Sequence, residues 1–347
     1  MQTETRHIVV AGLGNTGSHL LPHLARMDRL ARLTLADPDT YAPGNLAAQN
    51  IEGPDVGLPK AVAQAAKLRR INPGLEIVAM QDRVEDVPRG LLIGDLLVSC
   101  LDSRAARQNL NEIAWRLHTP WIDCGILGSQ NLARVNIYGI SDDAPCLECA
   151  WGHEDYLTVE QEYLCGAGSG SGYPSMASSA LGALAASVMA IEISRLLQGD
   201  AAAPPAARQI LVDAGHRSMR VTASRRNPWC RFDHRGWTIE PWRRRPDRTT
   251  VGEALSALGS IQVEGHRFVS AMVCPNCRHE EESLRLNRPL ERCPACNRRM
   301  VSSGFGSLER LSPEVAKEHF HLTLAQIGLR VGDIVSSGNR HRRIVEA

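Results

Sequence analysis

The chain has 347 residues, 43% of them hydrophobic, and a formal net charge of +1 at pH 7. This length predicts one large α/β domain with a smaller second part, and the composition excludes a wholly disordered protein. The near-zero net charge argues against nucleic acid or a membrane surface as the main partner. We find no signal peptide and no apolar run of about 18 residues, and therefore expect a cytoplasmic protein.

The ten cysteines indicate metal binding or catalysis, because disulfides are rare in a reducing compartment. Cys100 and Cys124 lie at the ends of predicted buried strands, and we expect them to belong to the core. Six further cysteines form three Cys-x-x-Cys pairs, which are Cys146/Cys149, Cys274/Cys277 and Cys293/Cys296.

A strand, a glycine-rich turn and a helix open the chain. Residues 7–11 are an apolar run of strand length, and a helix to about Arg29 follows the turn. The turn itself is Gly12-Leu13-Gly14-Asn15-Thr16-Gly17. Its glycines permit a tight turn, close approach of backbone N–H groups to a phosphate, and packing of the helix on the strand. Asp37 ends the second strand, twenty residues past Gly17, where it suits a ribose hydroxyl, so the pattern predicts a nucleotide site.

Strands and helices alternate through the first two thirds of the chain, which predicts a parallel sheet with helices on both faces. We expect strands near residues 33–36, 75–80, 95–99 and 121–125, and helices near 61–71, 104–117 and 177–197. Residues 209–222 are expected to form a hairpin that closes this domain.

Seven motifs occur in one order between Arg6 and His234. They are the glycine turn, Asp37-x-Asp39, Asn45-Leu-x-x-Gln49, Gly57-x-x-Lys60, Asn72-Pro73, Asp102-x-x-x-x-Arg107 and Cys146-x-x-Cys149. Each is weak alone, but the ordered set resembles the ubiquitin-activating-enzyme superfamily, ThiF/MoeB branch. The resemblance implies a Rossmann-like, mostly parallel sheet, ATP and Mg²⁺, and a homodimer. It also implies adenylation of the C-terminal glycine of a ubiquitin-like or sulfur-carrier protein.

Carried onto this sequence, the resemblance assigns the nucleotide to the glycine turn, Asp37, Asp39, Asn45 and Lys60, and magnesium to Asp102. Lys60 and Asn45 would lie near the phosphates and Asp37 near the ribose. A lysine and a metal ion are physically suited to this reaction, because attack on the α-phosphate builds negative charge. Arg107 would face the nucleotide crevice or lie on the surface.

Two departures from the family pattern leave the activity open. Ala48 stands where the family has an arginine, and Arg6 is the only arginine in the short segment before the first strand. Losing one charge-stabilising group costs about 10²–10³ in rate. The alternative is therefore a non-catalytic scaffold that binds a ubiquitin-like partner. A nicotinamide-dependent oxidoreductase also fits the glycine turn and Asp37, but leaves Lys60, Asp102 and the cysteines unused.

The resemblance also implies a structural zinc site and a nucleophile. Relatives join the Cys146/Cys149 pair to two later ligands, and Cys230 and His234 are the candidates here; a two-cysteine remnant is the alternative. Cys165 precedes a glycine-rich stretch and a long helix, the place where many relatives carry the cysteine that receives the acyl group. A bystander role for Cys165 is left open.

The C-terminal part carries the spacing of a zinc ribbon. Its ligands would be Cys274, Cys277, Cys293 and Cys296, with fifteen residues between the two pairs. The sequence does not indicate what such a module does. We expect an adenylation domain over residues 1–240, a linker over 241–265 and the ribbon module over 266–347.

Overall fold

The computed structural model describes residues 5–164, 177–198, 207–288, 292–298, 300–302 and 306–346. Contacts divide the chain into two units. The first consists of Met1–Glu85 and Ile93–Gly236, and the second of Asp86–Leu92 and Trp237–Ala347. The domain limits expected from the sequence stay a prediction, although residues 241–265 contain a helix and a strand.

The first unit is built on an eight-stranded sheet with the order β3-β2-β1-β4-β5-β6-β7-β8. Its strands are β1 (Arg6–Ala11), β2 (Leu30–Ala36), β3 (Glu76–Met80), β4 (Leu96–Ser99), β5 (Trp121–Leu127), β6 (Leu132–Tyr138), β7 (Arg208–Asp213) and β8 (Ser218–Ala223). The strands β1 to β5 are parallel, and β6, β7 and β8 continue the sheet in antiparallel order. The predicted hairpin is therefore confirmed, whereas β6 was not foreseen.

Five helices accompany this sheet: α1 (Asn15–Leu24), α2 (Lys60–Ile71), α3 (Arg104–Arg116), α4 (His153–Leu164) and α5 (Ser179–Leu197). Side chains of β1, β2, β4, β5, α1, α2 and α5 share one buried apolar core. Helix α3 packs on β4, β5 and α4. The expected α/β class is confirmed, and α1 ends at Leu24, five residues earlier than predicted.

Helix α5 corrects one expectation. By length and composition it could cross a membrane, so the expected lack of an apolar run of that length was wrong for residues 179–197. Half of its most apolar window is buried inside the structure. Ala185, Ala186 and Met189 belong to the core, as in the central helix of a globular domain.

The glycine turn after β1 is packed against the end of β4. Gly12 has φ +87°, and a Cβ there would lie 2.6 Å from the carbonyl oxygen of Cys100. A Cβ on Gly17 would lie 2.1 Å from the carbonyl oxygen of Gly12. Only glycine fits both positions, and the first of them also requires a conformation that side chains disfavour.

A largely buried ion pair joins helix α3 to β5. Asp123 is fully buried, and its carboxylate lies 3.2 Å from Nε of Arg107. The hydroxyl of Ser99 donates to the same carboxylate at 2.7 Å. Arg107 also donates to the carbonyl oxygens of Leu101 and Cys124. Its guanidinium therefore connects the chain on both sides of Asp102.

The second unit contains α6 (Val251–Leu258) and two small sheets. One sheet has the order β15-β10-β16-β17-β9, and the other pairs β11 with β12, β13 and β14. The strands are β9 (Ile239–Arg243), β10 (Ile261–Val263), β11 (Phe268–Val273), β12 (Glu280–Leu286), β13 (Val301–Ser302), β14 (Ser307–Leu308), β15 (Arg310–Leu311), β16 (Ile334–Ser337) and β17 (Arg340–Val345). A buried Arg288–Asp333 pair at 2.7 Å lies inside this unit.

We predict that Gly17→Ala destabilises the first unit, because the new methyl group would meet backbone that cannot move aside. The free energy of unfolding should fall by about 1–3 kcal/mol in urea denaturation followed by circular dichroism. Gly44→Ala is the matched control: its Cβ meets nothing within 4 Å, so a change below about 0.5 kcal/mol is expected. Equal stability of the two variants would contradict the packing argument.

We predict that Arg107→Met lowers the free energy of unfolding by about 3–5 kcal/mol, because it leaves the buried Asp123 carboxylate without its cation. Adding Asp123→Asn should recover much of this loss. The control is Arg104→Met on the same helix, where a 46% exposed arginine side chain pairs with Asp155 and about 1 kcal/mol or less is expected. Similar losses in both single variants would contradict the prediction.

Candidate nucleotide site and metal clusters

The amino end of α1 faces the glycine turn without a side-chain cap. Gly14 is the N-cap residue, and the first turn of the helix holds no acidic side chain. The first backbone N–H groups of a helix need an acceptor, and a phosphate oxygen is a favourable one. The turn can therefore hold an anionic group at this place.

Asp37, which follows β2, accepts hydrogen bonds from the backbone of the glycine turn and of Asp39. It is 4% exposed, and its two carboxylate oxygens accept hydrogen bonds from the backbone N–H groups of Leu13, at 2.6 Å, and Asp39, at 2.9 Å. Burial raises the pKa of this carboxyl group, while Lys60 and the two N–H groups oppose that shift. Asp37 thus stabilises the turn, whatever further contact it makes with a ribose.

Lys60, the first residue of α2, joins this acidic pair. Its Nζ lies 2.9 Å from Asp39 and 4.0 Å from Asp37, and the residue is only 8% exposed. The carboxylate of Asp39 is 64% exposed and can exchange this contact for a ligand. The structure therefore brings together three of the residues that the motifs indicated.

Asn45 and Asp102 are placed differently. The side-chain oxygen of Asn45 accepts a hydrogen bond from the backbone N–H of Ala42 at 2.8 Å and closes a short 3₁₀ turn, Pro43–Ala47. Asp102 is exposed just beyond β4, at the carboxyl edge of the sheet, and pairs with no cation among the described residues. Ligands of open α/β sheets bind at this edge.

Two buried polar atoms near the turn lack partners within the described part of the chain. They are Oδ1 of Asn15 and Oε1 of Gln49, whose amide nitrogen lies 4.0 Å from the position of a Cβ on Gly14. Buried polar groups normally have a hydrogen-bond partner. The two amide oxygens are hydrogen-bond acceptors, so they suit a donor group or a metal ion rather than a phosphate oxygen. The uncapped helix and Lys60 fit a polyphosphate, whereas Thr16 is buried.

Tyr41 is a contributor that the sequence analysis missed. It is 1% exposed, its hydroxyl donates to the carbonyl oxygen of Leu13 at 3.1 Å, and Gln64 donates to that hydroxyl at 2.9 Å. Burial raises the pKa of Tyr41, which keeps the phenol protonated. The available indication was a tyrosine four residues after Asp37.

Arg6 does not approach this site. Its Nη1 pairs with Asp95 at 2.8 Å, at the amino end of β1 and therefore at the opposite edge of the sheet from the turn. Cys100 and Cys124 pack with the core as expected, and burial raises the pKa of both thiols. Cys165 lies outside the described residues.

The Cys₃His cluster consists of Cys146, Cys149, Cys230 and His234, whose ligand atoms all lie within 4.8 Å of one another. The sulfur of Cys146 is 3.8 Å from that of Cys149 and 3.7 Å from that of Cys230. Tetrahedral zinc with bonds of about 2.3 Å places two sulfurs about 3.8 Å apart. The hydrogen bond between the thiols of Cys146 and Cys149 lowers the pKa of Cys149 and raises that of Cys146, so one proton is shared within the pair.

The Cys₄ cluster of the second unit consists of Cys274, Cys277, Cys293 and Cys296. It is built from two equivalent turns. The N–H of Cys274 donates to the carbonyl of His279 and that of Cys293 to Arg298, at 2.8 and 2.7 Å. Arg278 and Asn297 both have positive φ, +59° and +57°. Each turn presents two thiols, so the donor set fits one tetrahedral ion.

Comparisons with known proteins agree with this geometry. The ThiF family model matches residues 2–232. The molybdopterin-synthase adenylyltransferase of Escherichia coli is 25% identical over 229 residues, 64% of this chain and 85% of that protein. The sulfur carrier protein ThiS adenylyltransferase of the same species is 26% identical over 147 residues, 42% of this chain and 57% of that protein.

A eukaryotic relative and a solved structure extend the comparison. The mouse adenylyltransferase and sulfurtransferase MOCS3 is 30% identical over 150 residues, 42% of this chain and 31% of its own length. The E. coli MccB structure with ATP has a TM-score of 0.54 at 18% identity and covers 66% of each chain, which supports the fold. With a family match spanning residues 2–232, this chain belongs to the ThiF family.

Proposed function

We propose that this chain is an ATP-dependent adenylyltransferase. Its substrate would be the C-terminal glycine of a small ubiquitin-like or sulfur-carrier protein. The observation that supports the proposal is an uncapped helix start at the glycine turn, with the buried Lys60 beside Asp37 and with the turn packed against Cys100, two residues before Asp102. Several relatives in the family are named adenylyltransferases, and one structural neighbour, E. coli MccB, was solved together with ATP.

The chemistry follows from this placement. The partner's carboxylate oxygen forms a bond to the α-phosphorus of ATP, and the bond from that phosphorus to the bridging oxygen breaks to release pyrophosphate. Lys60 offsets charge that develops on the phosphates, and Asp102 would hold Mg²⁺. Asp37 and Tyr41 hold the backbone of the turn, so the N–H donors are in place before the substrate arrives.

The question that remains to be tested is whether the chain can adenylate without the arginine that the family carries at the position of Ala48. Ala48 leaves one position of the site without its positive charge. If the chain is a scaffold, it binds ATP and a ubiquitin-like partner but turns over neither.

The transfer of the acyl group to Cys165 belongs to the same proposal. Replacing Cys165 with serine should stop this transfer while leaving adenylation intact.

We also propose that the enzyme is a cytoplasmic homodimer. Apolar side chains exposed on α5 and β8 support this: Leu184, Ile191, Met219 and Val221 are 39, 60, 56 and 61% exposed. Large apolar side chains that are exposed in one chain suit an interface with a second copy.

ATP–pyrophosphate exchange by the purified full-length protein tests the activity. We predict exchange that requires a glycine-tailed β-grasp protein and that falls at least about 10²-fold in Asp102→Ala and in Lys60→Ala. Asp28→Ala, an exposed carboxylate between α1 and β2 and outside these motifs, should retain full activity. ATP binding without exchange for every glycine-tailed partner would contradict adenylation and establish the scaffold.

We propose Zn²⁺ in both clusters and predict two zinc ions per chain by plasma mass spectrometry. Cys230→Ser should reduce the content to one by disabling the Cys₃His cluster, and Cys293→Ser should do the same through the Cys₄ cluster. Cys165→Ser, outside both clusters, should keep two. Unchanged zinc content in either cluster variant would contradict the assignment of its ligands.

A further inference from the structure

Side chains from both ligand loops of the Cys₃His cluster converge on helix α4. Glu148 lies between the ligands Cys146 and Cys149, and Arg231 directly follows the ligand Cys230. Both contact Tyr156 on α4. The phenol ring is therefore held between the two segments that a metal ion would tie together.

The contacts are specific. The guanidinium carbon of Arg231 lies 4.0 Å from the centroid of the Tyr156 ring, within the range of a cation–π interaction. The Tyr156 hydroxyl also interacts with the carboxylate of Glu148, which is only 4% exposed. Nε2 of Gln108 on α3 donates to the same carboxylate at 3.1 Å. The ring of Trp151 meets Tyr156 edge-on at 5.3 Å.

The described side chains of helix α4 bury little apolar surface. Among its described side chains, residues 153–159, Val159 is the one that is buried. Asp155 pairs with Arg104 at the first turn of α3, but such an exposed pair contributes little. Most of the burial that orders a surface helix normally comes from an apolar stripe, and the described part of this helix lacks one. The contacts of Tyr156 then carry much of the order of the described part of this helix.

We propose that Tyr156 is a positioning residue that makes the order of α4 depend on metal in the Cys₃His cluster. A bound ion fixes the loops that carry Glu148 and Arg231, and these fix Tyr156 from two sides. Helix α4 packs on α3, whose first residue, Arg104, lies two positions after Asp102. Metal in the cluster thus supports the edge of the candidate nucleotide site through a helix.

Hydrogen–deuterium exchange of the full-length protein tests this link, and the readout does not need adenylation activity. In the zinc-loaded protein, amides of residues 153–159 should exchange about threefold to tenfold faster in Tyr156→Ala than in wild type, since the contacts with Glu148 and Arg231 are lost. Tyr156→Phe, which keeps the ring under Arg231, should fall between them. Thr158→Ala, an exposed position on the same helix, should match wild type.

The metal dependence is tested separately in Cys230→Ser, which disables this cluster and leaves the Cys₄ cluster intact. Faster exchange in α4, with β1 and β4 still protected, is the expected result. The zinc content of Tyr156→Ala should equal that of the wild type. This result would show that faster exchange comes from the lost Tyr156 contacts and not from loss of the zinc ion. Equal α4 protection in wild type, Cys230→Ser and Tyr156→Ala would overturn the proposal. So would faster exchange in Thr158→Ala equal to that in Tyr156→Ala.

Discussion

The packing of the glycine turn against the end of β4 is the constraint on which the candidate site depends. With Gly12 against the Cys100 carbonyl and Gly17 against Gly12, the amino end of α1 and the segment that carries Asp102 meet at one place. Any side chain at these glycines would separate the uncapped N–H groups from the carboxylate. The glycines of the turn are therefore required because the backbone of Gly12 lies close to Cys100 and that of Gly17 lies close to Gly12. The candidate nucleotide site depends on these two close contacts.

A second layer of buried polar groups makes this turn rigid. Asp37 accepts from two backbone N–H groups, Tyr41 donates to a carbonyl of the same turn, and Arg107 ties the segments around Asp102 to the buried Asp123. Each group is costly to bury alone and acceptable only when its partners are in place. The same cost makes the arrangement specific, because a displaced turn would leave several buried groups unsatisfied. Donors fixed in this way lose little free energy when a polyphosphate binds.

Sequence predicted the local parts of this structure well and the distant contacts poorly. The turn and the Cys₄ cluster follow from spacing within short segments, where residue chemistry and backbone geometry coincide. Cys230 and His234 lie more than 80 residues beyond Cys149, and the family resemblance indicated them. Three features depend on which segments meet in space: the contacts of Tyr41, the Arg107–Asp123 pair and strand β6. A single sequence, read without an alignment, does not contain that information. The segment Asp86–Leu92 is the clearest case: Gly90 donates to the carbonyl of Gly332 at 2.8 Å, across more than 240 residues of chain.

The two cysteine clusters occupy places where apolar burial is small. The Cys₃His cluster adjoins a small group of buried side chains around Trp115, and the Cys₄ cluster adjoins another around Met272. Neither group could order its loops through the hydrophobic effect alone, whereas zinc can contribute about 10–16 kcal/mol of apparent folding free energy in small domains. A bound metal ion would then supply, at both places, the stabilisation that a hydrophobic core supplies elsewhere. In the first unit it would also order α4, whose described side chains bury so little, through Tyr156.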